Sequence, residues 1–95
     1  MSGVTHPVNL PAASGVVLTG PGIYRGFSVR ETAGAAAVLQ LRDAITGSTG
    51  RLLEEISLAA VESARESYAN GVEVVTGIYV NLVSGTMPTG SVRVG

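Results

Sequence analysis

From Gly15 onward the chain is a series of short apolar runs divided by turn residues, a punctuation that favours strands and leaves little room for helices. Val16 to Thr19 is followed by Gly20-Pro21-Gly22 and then by Ile23 to Glu31. Between Ala36 and Asp43, Ala37, Leu39 and Leu41 alternate with Val38, Gln40 and Arg42, which is the period of a half-buried strand. A loop at Gly47-Ser48-Thr49-Gly50 follows. The far end continues in the same way, with Val72 to Val75 after an Asn70-Gly71 pair suited to a tight hairpin, Ile78 to Val83, a Gly85 to Gly90 loop holding Pro88, and Ser91 to Val94. Gly77, between two apolar runs, predicts a bend or bulge. Residues 15–95 therefore read as one β-domain. Residues 1–14 differ: Pro7 and Pro11 forbid a helix, and the spaced Val4, Val8 and Leu10 read as an extended arm.

One stretch argues the other way. On a helical wheel Leu52, Leu53, Ile56, Ala59, Ala60 and Ala64 share one half while Glu54, Glu55, Glu62, Arg65 and Glu66 share the other. Periodicity and the helix propensity of Ala, Leu and Glu both point to a helix over 51–68, which would make the fold α+β.

At 95 residues the chain has room for one small core, and 45% of it is hydrophobic. Only 14% is charged, against roughly a quarter in ordinary soluble domains. Thirteen charged side chains are few to solvate the outside of such a domain, so much of the surface is expected to be apolar or small and covered by partners. An assembly subunit is the natural reading. The absence of cysteine removes disulfides, thiolate metal sites and cysteine nucleophiles. A net charge of -1, with six arginines scattered along the sequence, offers no basic stripe for nucleic acid or anionic lipid. No run approaches the roughly 20 apolar residues of a membrane helix, and the start has no cationic leader.

The candidates for chemistry are few. His6 is the single histidine and Asp43 the single aspartate, so a Ser-His-Asp triad would have to use a histidine from the proline-flanked arm. Glu54 with Glu55, and Glu62 with Glu66, are the only carboxylate clusters; neighbours in a strand point to opposite faces, and a solvated face or a pairing with Arg51 or Arg65 explains them better than acid-base catalysis. Gly20-Pro21-Gly22 with Gly26 lacks dinucleotide spacing and reads as a turn. No His, Asp or Glu run has metal-ligand spacing, so neither metal nor cofactor is expected. The aromatics are Tyr24, Phe27, Tyr68 and Tyr79. Phe27 suits a core, and a tyrosine or two suits an interface.

Three strings carry a resemblance. Gly22-Ile23-Tyr24-Arg25-Gly26-Phe27-Ser28-Val29-Arg30-Glu31-Thr32 is one, Ala37-Val38-Leu39-Gln40-Leu41-Arg42-Asp43 another, and Thr76-Gly77-Ile78-Tyr79-Val80-Asn81-Leu82-Val83-Ser84-Gly85-Thr86 the third. Together with Leu52-Leu53, Ile56-Ser57-Leu58 and Glu62-Ser63-Ala64-Arg65, they resemble small virion structural proteins of tailed bacteriophages of the kind common among actinobacterial phages, over about Val16 to Val94. In that family "GxxxGxSVRET" opens a strand and the closing "TGxYVxxVSGT" is another, and many relatives carry an "LAxGES" turn where this chain has Leu58-Ala59-Ala60-Val61-Glu62-Ser63. The resemblance implies an all-β, jelly-roll-like antiparallel sandwich of about eight short strands, and is preferred to the wheel over 51–68. It also implies a non-enzymatic decoration or minor capsid protein on the head exterior, with the major capsid protein and other copies of itself, a trimer by default, as partners; the alternatives are a tail, neck or fibre component, or a module binding host-surface glycans. The expected interface residues are Val4, Val8 and Leu10 of the arm, with Tyr24 and Tyr79. Deleting residues 1–14 is expected to leave a folded sandwich that binds shells poorly.

Overall fold

A computed structural model of the chain describes residues 6–46 and 49–95. Eight antiparallel strands form two four-stranded sheets packed as a sandwich. In chain order they are β1 (His6–Asn9), β2 (Gly15–Thr19), β3 (Gly22–Arg30), β4 (Ala37–Asp43), β5 (Arg51–Leu58), β6 (Ser63–Val74), β7 (Gly77–Ser84) and β8 (Thr89–Val94). The first sheet runs β1-β8-β3-β6 and the second β2-β7-β4-β5. Thus β1 pairs with β8, β2 with β7, β3 with β6 and β4 with β5, as if one long hairpin had been rolled so that alternate pairs fell into alternate sheets. That is the jelly-roll order.

Alternation supplies the core. Tyr24, Phe27, Val29 and Val92 face inward from the first sheet, and Leu39, Leu41, Ile56, Leu58, Ile78 and Val80 from the second. At roughly 1.5 to 3 kcal/mol for each large apolar side chain taken out of water, this layer holds the two sheets together.

The stretch 51–68 is strand, turn and strand. The wheel fails because its apolar half includes residues that stand at the surface: Leu52, Ala59 and Ala60 are exposed, while Ile56 and Leu58 are buried with the period of a strand. β5 pairs with β4 from Ala37 opposite Leu58 to Asp43 opposite Arg51. Ladder bonds and burial between sheets outweigh the few tenths of a kcal/mol per residue that helix propensity offers.

Two further expectations change. Asn70-Gly71 makes no hairpin; it lies inside β6, where Tyr68 to Gly71 form a wide bulge opposite Arg25 of β3. Gly71, at φ +71°, supplies the left-handed residue that the excursion needs. The other concerns the extended arm, which was expected to be dispensable for folding. His6 to Asn9 pair with Val94 to Ser91, Leu10 N–H donates to the Gly90 carbonyl, and Val8 and Leu10 pack against the sandwich core. Removing residues 1–14 would therefore strip an edge strand and part of the core instead of releasing a tether.

Candidate docking faces

Three carboxylates, Glu31, Asp43 and Glu62, are committed to holding turns. Glu31, directly after β3, is fully buried. Its Oε1 accepts from Gly34 N–H at 2.8 Å and Val61 N–H at 3.0 Å, and its Oε2 from Ala33 N–H at 2.8 Å. The Val61 amide, followed by those of Ala33, Gly34 and Ala35, holds the Glu31 carboxyl below the usual range against the opposing effect of burial. One side chain thus ties the β3–β4 loop to the β5–β6 turn. At the other end of the sandwich Asp43 accepts from Val75, Thr76 and Gly77 N–H at 3.0, 2.8 and 3.3 Å, and pairs with Arg51 at 3.5 Å. Burial pushes the Asp43 carboxyl up, but the three amides and Arg51 outweigh it and the net shift is downward.

Glu54 points inward and accepts at one oxygen from Tyr68 OH at 2.6 Å and Tyr24 OH at 3.3 Å. The Tyr68 phenol is pushed up to about 12, first by that hydrogen bond. Burial, then the charge of Glu54, raises Tyr24 further. Glu62 turns back to accept from Ala59 N–H at 2.7 Å. His6 stands exposed on an edge strand, and Gly20-Pro21-Gly22 is the β2–β3 turn. Among the described residues no group of three His, Asp or Glu side chains could hold a metal ion, and no helix is long and apolar enough to cross a membrane.

Of the five residues expected at an interface, one lies on an open sheet face. Val4 is outside the described residues. Val8 and Leu10 are half-buried against the molecule's own core. Tyr24 is 0% exposed, its ring tilted against Tyr68 with centroids 5.9 Å apart, which corrects its assignment to a contact surface. The reason is a phase shift. In a regular strand Tyr24 would share a face with Ser28 and Arg30; the bulge between Tyr24 and Gly26 turns it inward with Phe27 and Val29. Gly26 makes this possible at φ +129°, where a Cβ would stand 2.0 Å from the Glu66 carbonyl oxygen.

Tyr79 does face outward, in the middle of a row. Direct cross-strand partners share a face, and Val16 pairs with Tyr79, Tyr79 with Arg42, and Arg42 with Leu52. The row crosses all four strands of the second sheet. Val16 and Leu52 are each 44% exposed at its two ends. Arg42 lies down beside it, donating to Gln40 Oε1 at 3.1 and 3.2 Å and to the Gly50 carbonyl at 2.9 Å, so the guanidinium is held within the sheet. Ile45, after β4, and Val75, in the β6–β7 turn, put two more exposed apolar side chains at that end of the molecule.

The outer face of the first sheet is different. Arg25, Arg30, Arg65 and Arg93 all lie on it, four of the six arginines in the chain, gathered from three strands. Ser28 pairs with Ser91 on one side and Arg65 on the other; Arg30 pairs with Thr89 and Ser63; Arg93 stands opposite Pro7 and Gly26. The sequence shows these arginines as scattered because register, not spacing, brings them together. Two shallow concavities mark the face, one of about 420 Å3 holding Arg30 and Arg65, the other of about 650 Å3 holding Arg25 and Arg93. No family model, curated protein or solved structure matches this chain.

Proposed function

We propose that the chain is a non-enzymatic structural subunit of a tailed-phage virion, a decoration or minor capsid protein that sits on the head exterior as symmetric copies. The observation that carries this reading is the outward row of Val16, half-buried Tyr79, Arg42 and Leu52 across the second sheet, with exposed apolar side chains at both ends and two more, Ile45 and Val75, beyond it. It lies on a molecule whose principal dimensions are 40 × 24 × 17 Å, so one broad face suits contact with a neighbouring copy. At about 25 cal/mol per Å2, a few hundred Å2 of such contact gives several kcal/mol before association costs, and a lattice of fixed sites multiplies modest contacts. The motif residues support the same reading: Gly26 and Glu31 of the first string build a bulge and a turn clamp, and Tyr79 of the third presents a ring at the surface. They serve architecture, and the carboxylates with the best-defined environments, Glu31, Asp43 and Glu54, are engaged inside the fold.

Peptide mass spectrometry on separated heads and tails of the phage that encodes the chain is the test. Its peptides should be found with heads in many copies per particle. Peptides confined to tails would place the sandwich in a fibre, neck or baseplate, and absence from both would end the structural reading.

A further inference from the structure

The first sheet carries a charge opposite in sign to that of the chain as a whole. The chain's net charge is -1, yet its outer face here presents Arg25, Arg30, Arg65 and Arg93, with Glu73 as the one carboxylate in outward register among the described residues. None of the four makes an ion pair within the described residues, where the single salt bridge joins Arg51 to Asp43 beside the β6–β7 turn. Arg25 donates to the Ala69 carbonyl and Arg93 to Ser67 Oγ at 2.9 Å, which pins both stems and leaves their charge uncompensated. Buried Arg25 Nε has no hydrogen-bond partner at all. Arg30 and Arg65 are exposed, and the side chains between them are Ser28, Ser63 and Thr89, too short to cover a guanidinium.

We propose that this face docks a carboxylate-bearing protein surface. A guanidinium offers two parallel N–H donors that match a carboxylate, and two concavities with two arginines each present that fork as paired receptors. The pairs are separate hollows, not a continuous track, and the rest of the chain is acidic enough to bring its total charge to -1. Both features favour discrete carboxylates over a polyphosphate backbone, whose binding grows with the number of phosphates neutralised along a line. The division of labour is then physical: the second sheet meets copies of the chain through apolar contact, and the first meets an acidic partner through charge. Naming that partner as the shell rests on the decoration reading; the carboxylate chemistry does not.

The test uses the full chain and the variant Arg30→Glu/Arg65→Glu, whose two side chains are exposed and make no bond within the described residues. Immobilised poly-L-glutamate and a short DNA duplex are the probes, with isolated heads of the encoding phage as a third arm. The wild type should bind poly-L-glutamate, and the variant at least about tenfold more weakly, with binding fading between roughly 50 and 300 mM salt. Equal binding by the variant overturns the proposal. Tighter binding of the duplex, lost in the same variant, overturns it in favour of nucleic acid. Arginine-dependent binding of poly-L-glutamate without binding to heads keeps this inference and defeats the decoration reading; binding to heads that survives charge reversal does the opposite.

Discussion

Val61 sits where a β-branched residue is least at home. It lies in the β5–β6 turn at φ +54°, the one non-glycine residue with positive φ among those described, and its side chain is 60% exposed. Glycine is the residue this backbone favours, since the left-handed region costs a non-glycine residue of order 1 to 3 kcal/mol. The amide of Val61 is needed by Glu31 whatever the side chain. Val61→Gly should therefore raise stability by about 1 kcal/mol in urea unfolding, after the entropy of a more flexible unfolded chain is set against the relieved strain. A neutral or destabilising result would mean that the turn is not left-handed at this position. Tyr24 teaches the complementary lesson. Period-two reading holds through Phe27 and Val29 and fails one bulge earlier, because a single glycine moves Tyr24 across the sheet. Sequence pattern reveals faces, and bulges exchange them.

Among the elements, β4 was legible because burial alternates cleanly along it, the core end of β3 for the same reason, and β7 as a short apolar run between turn residues. β5 and β6 were not. Their apolar residues fit a helix as well as a strand, and what decides between the two is pairing with β4 and β3, which local sequence does not display. The carboxylate clamps were invisible for a related reason. Glu31 reaches Val61 across 30 positions and Asp43 reaches Val75 across 32, so each reads as an ordinary charge until the fold closes. Both clamps make stability depend on acid. A carboxyl held below its ordinary value, 4.5 for Glu31 and 3.8 for Asp43, stabilises the fold fully above that value and loses its effect as pH falls through the lower folded one. The raised phenols act at the other extreme: the benefit from Tyr68 is complete below 10 and lost as pH rises towards about 12. Urea midpoints should accordingly fall below about pH 4, with a second fall above about pH 10. Glu31→Gln should lower the midpoint at pH 7 and flatten the acid limb, since an amide cannot replace both acceptor oxygens. An unchanged midpoint and acid limb would show that Glu31 does not hold these turns together.

The whole molecule explains its own composition. With 14% charged residues, and part of those turned inward to hold the fold, the second sheet presents an outer row of Val16, Tyr79, Arg42 and Leu52 with exposed apolar side chains at both ends, beside a polar row of Asn81, Gln40 and Glu55. The charge deficit in the sequence signalled that an apolar surface existed. It could not say where, because the row is assembled from β2, β7 and β5 through long-range register. The same register gathers the arginines on the opposite side, so composition and spacing understated how strongly the two faces differ. Sedimentation of the full chain up to roughly 1 mM tests most directly whether the apolar face is built for contact, because even millimolar affinity registers there as rising mass. The wild type should self-associate, and Leu52→Glu, placed on an exposed side chain at the end of the row, should remain monomeric with its urea midpoint little changed. A wild type that stays monomeric throughout, or a variant that associates just as well, would contradict the central claim.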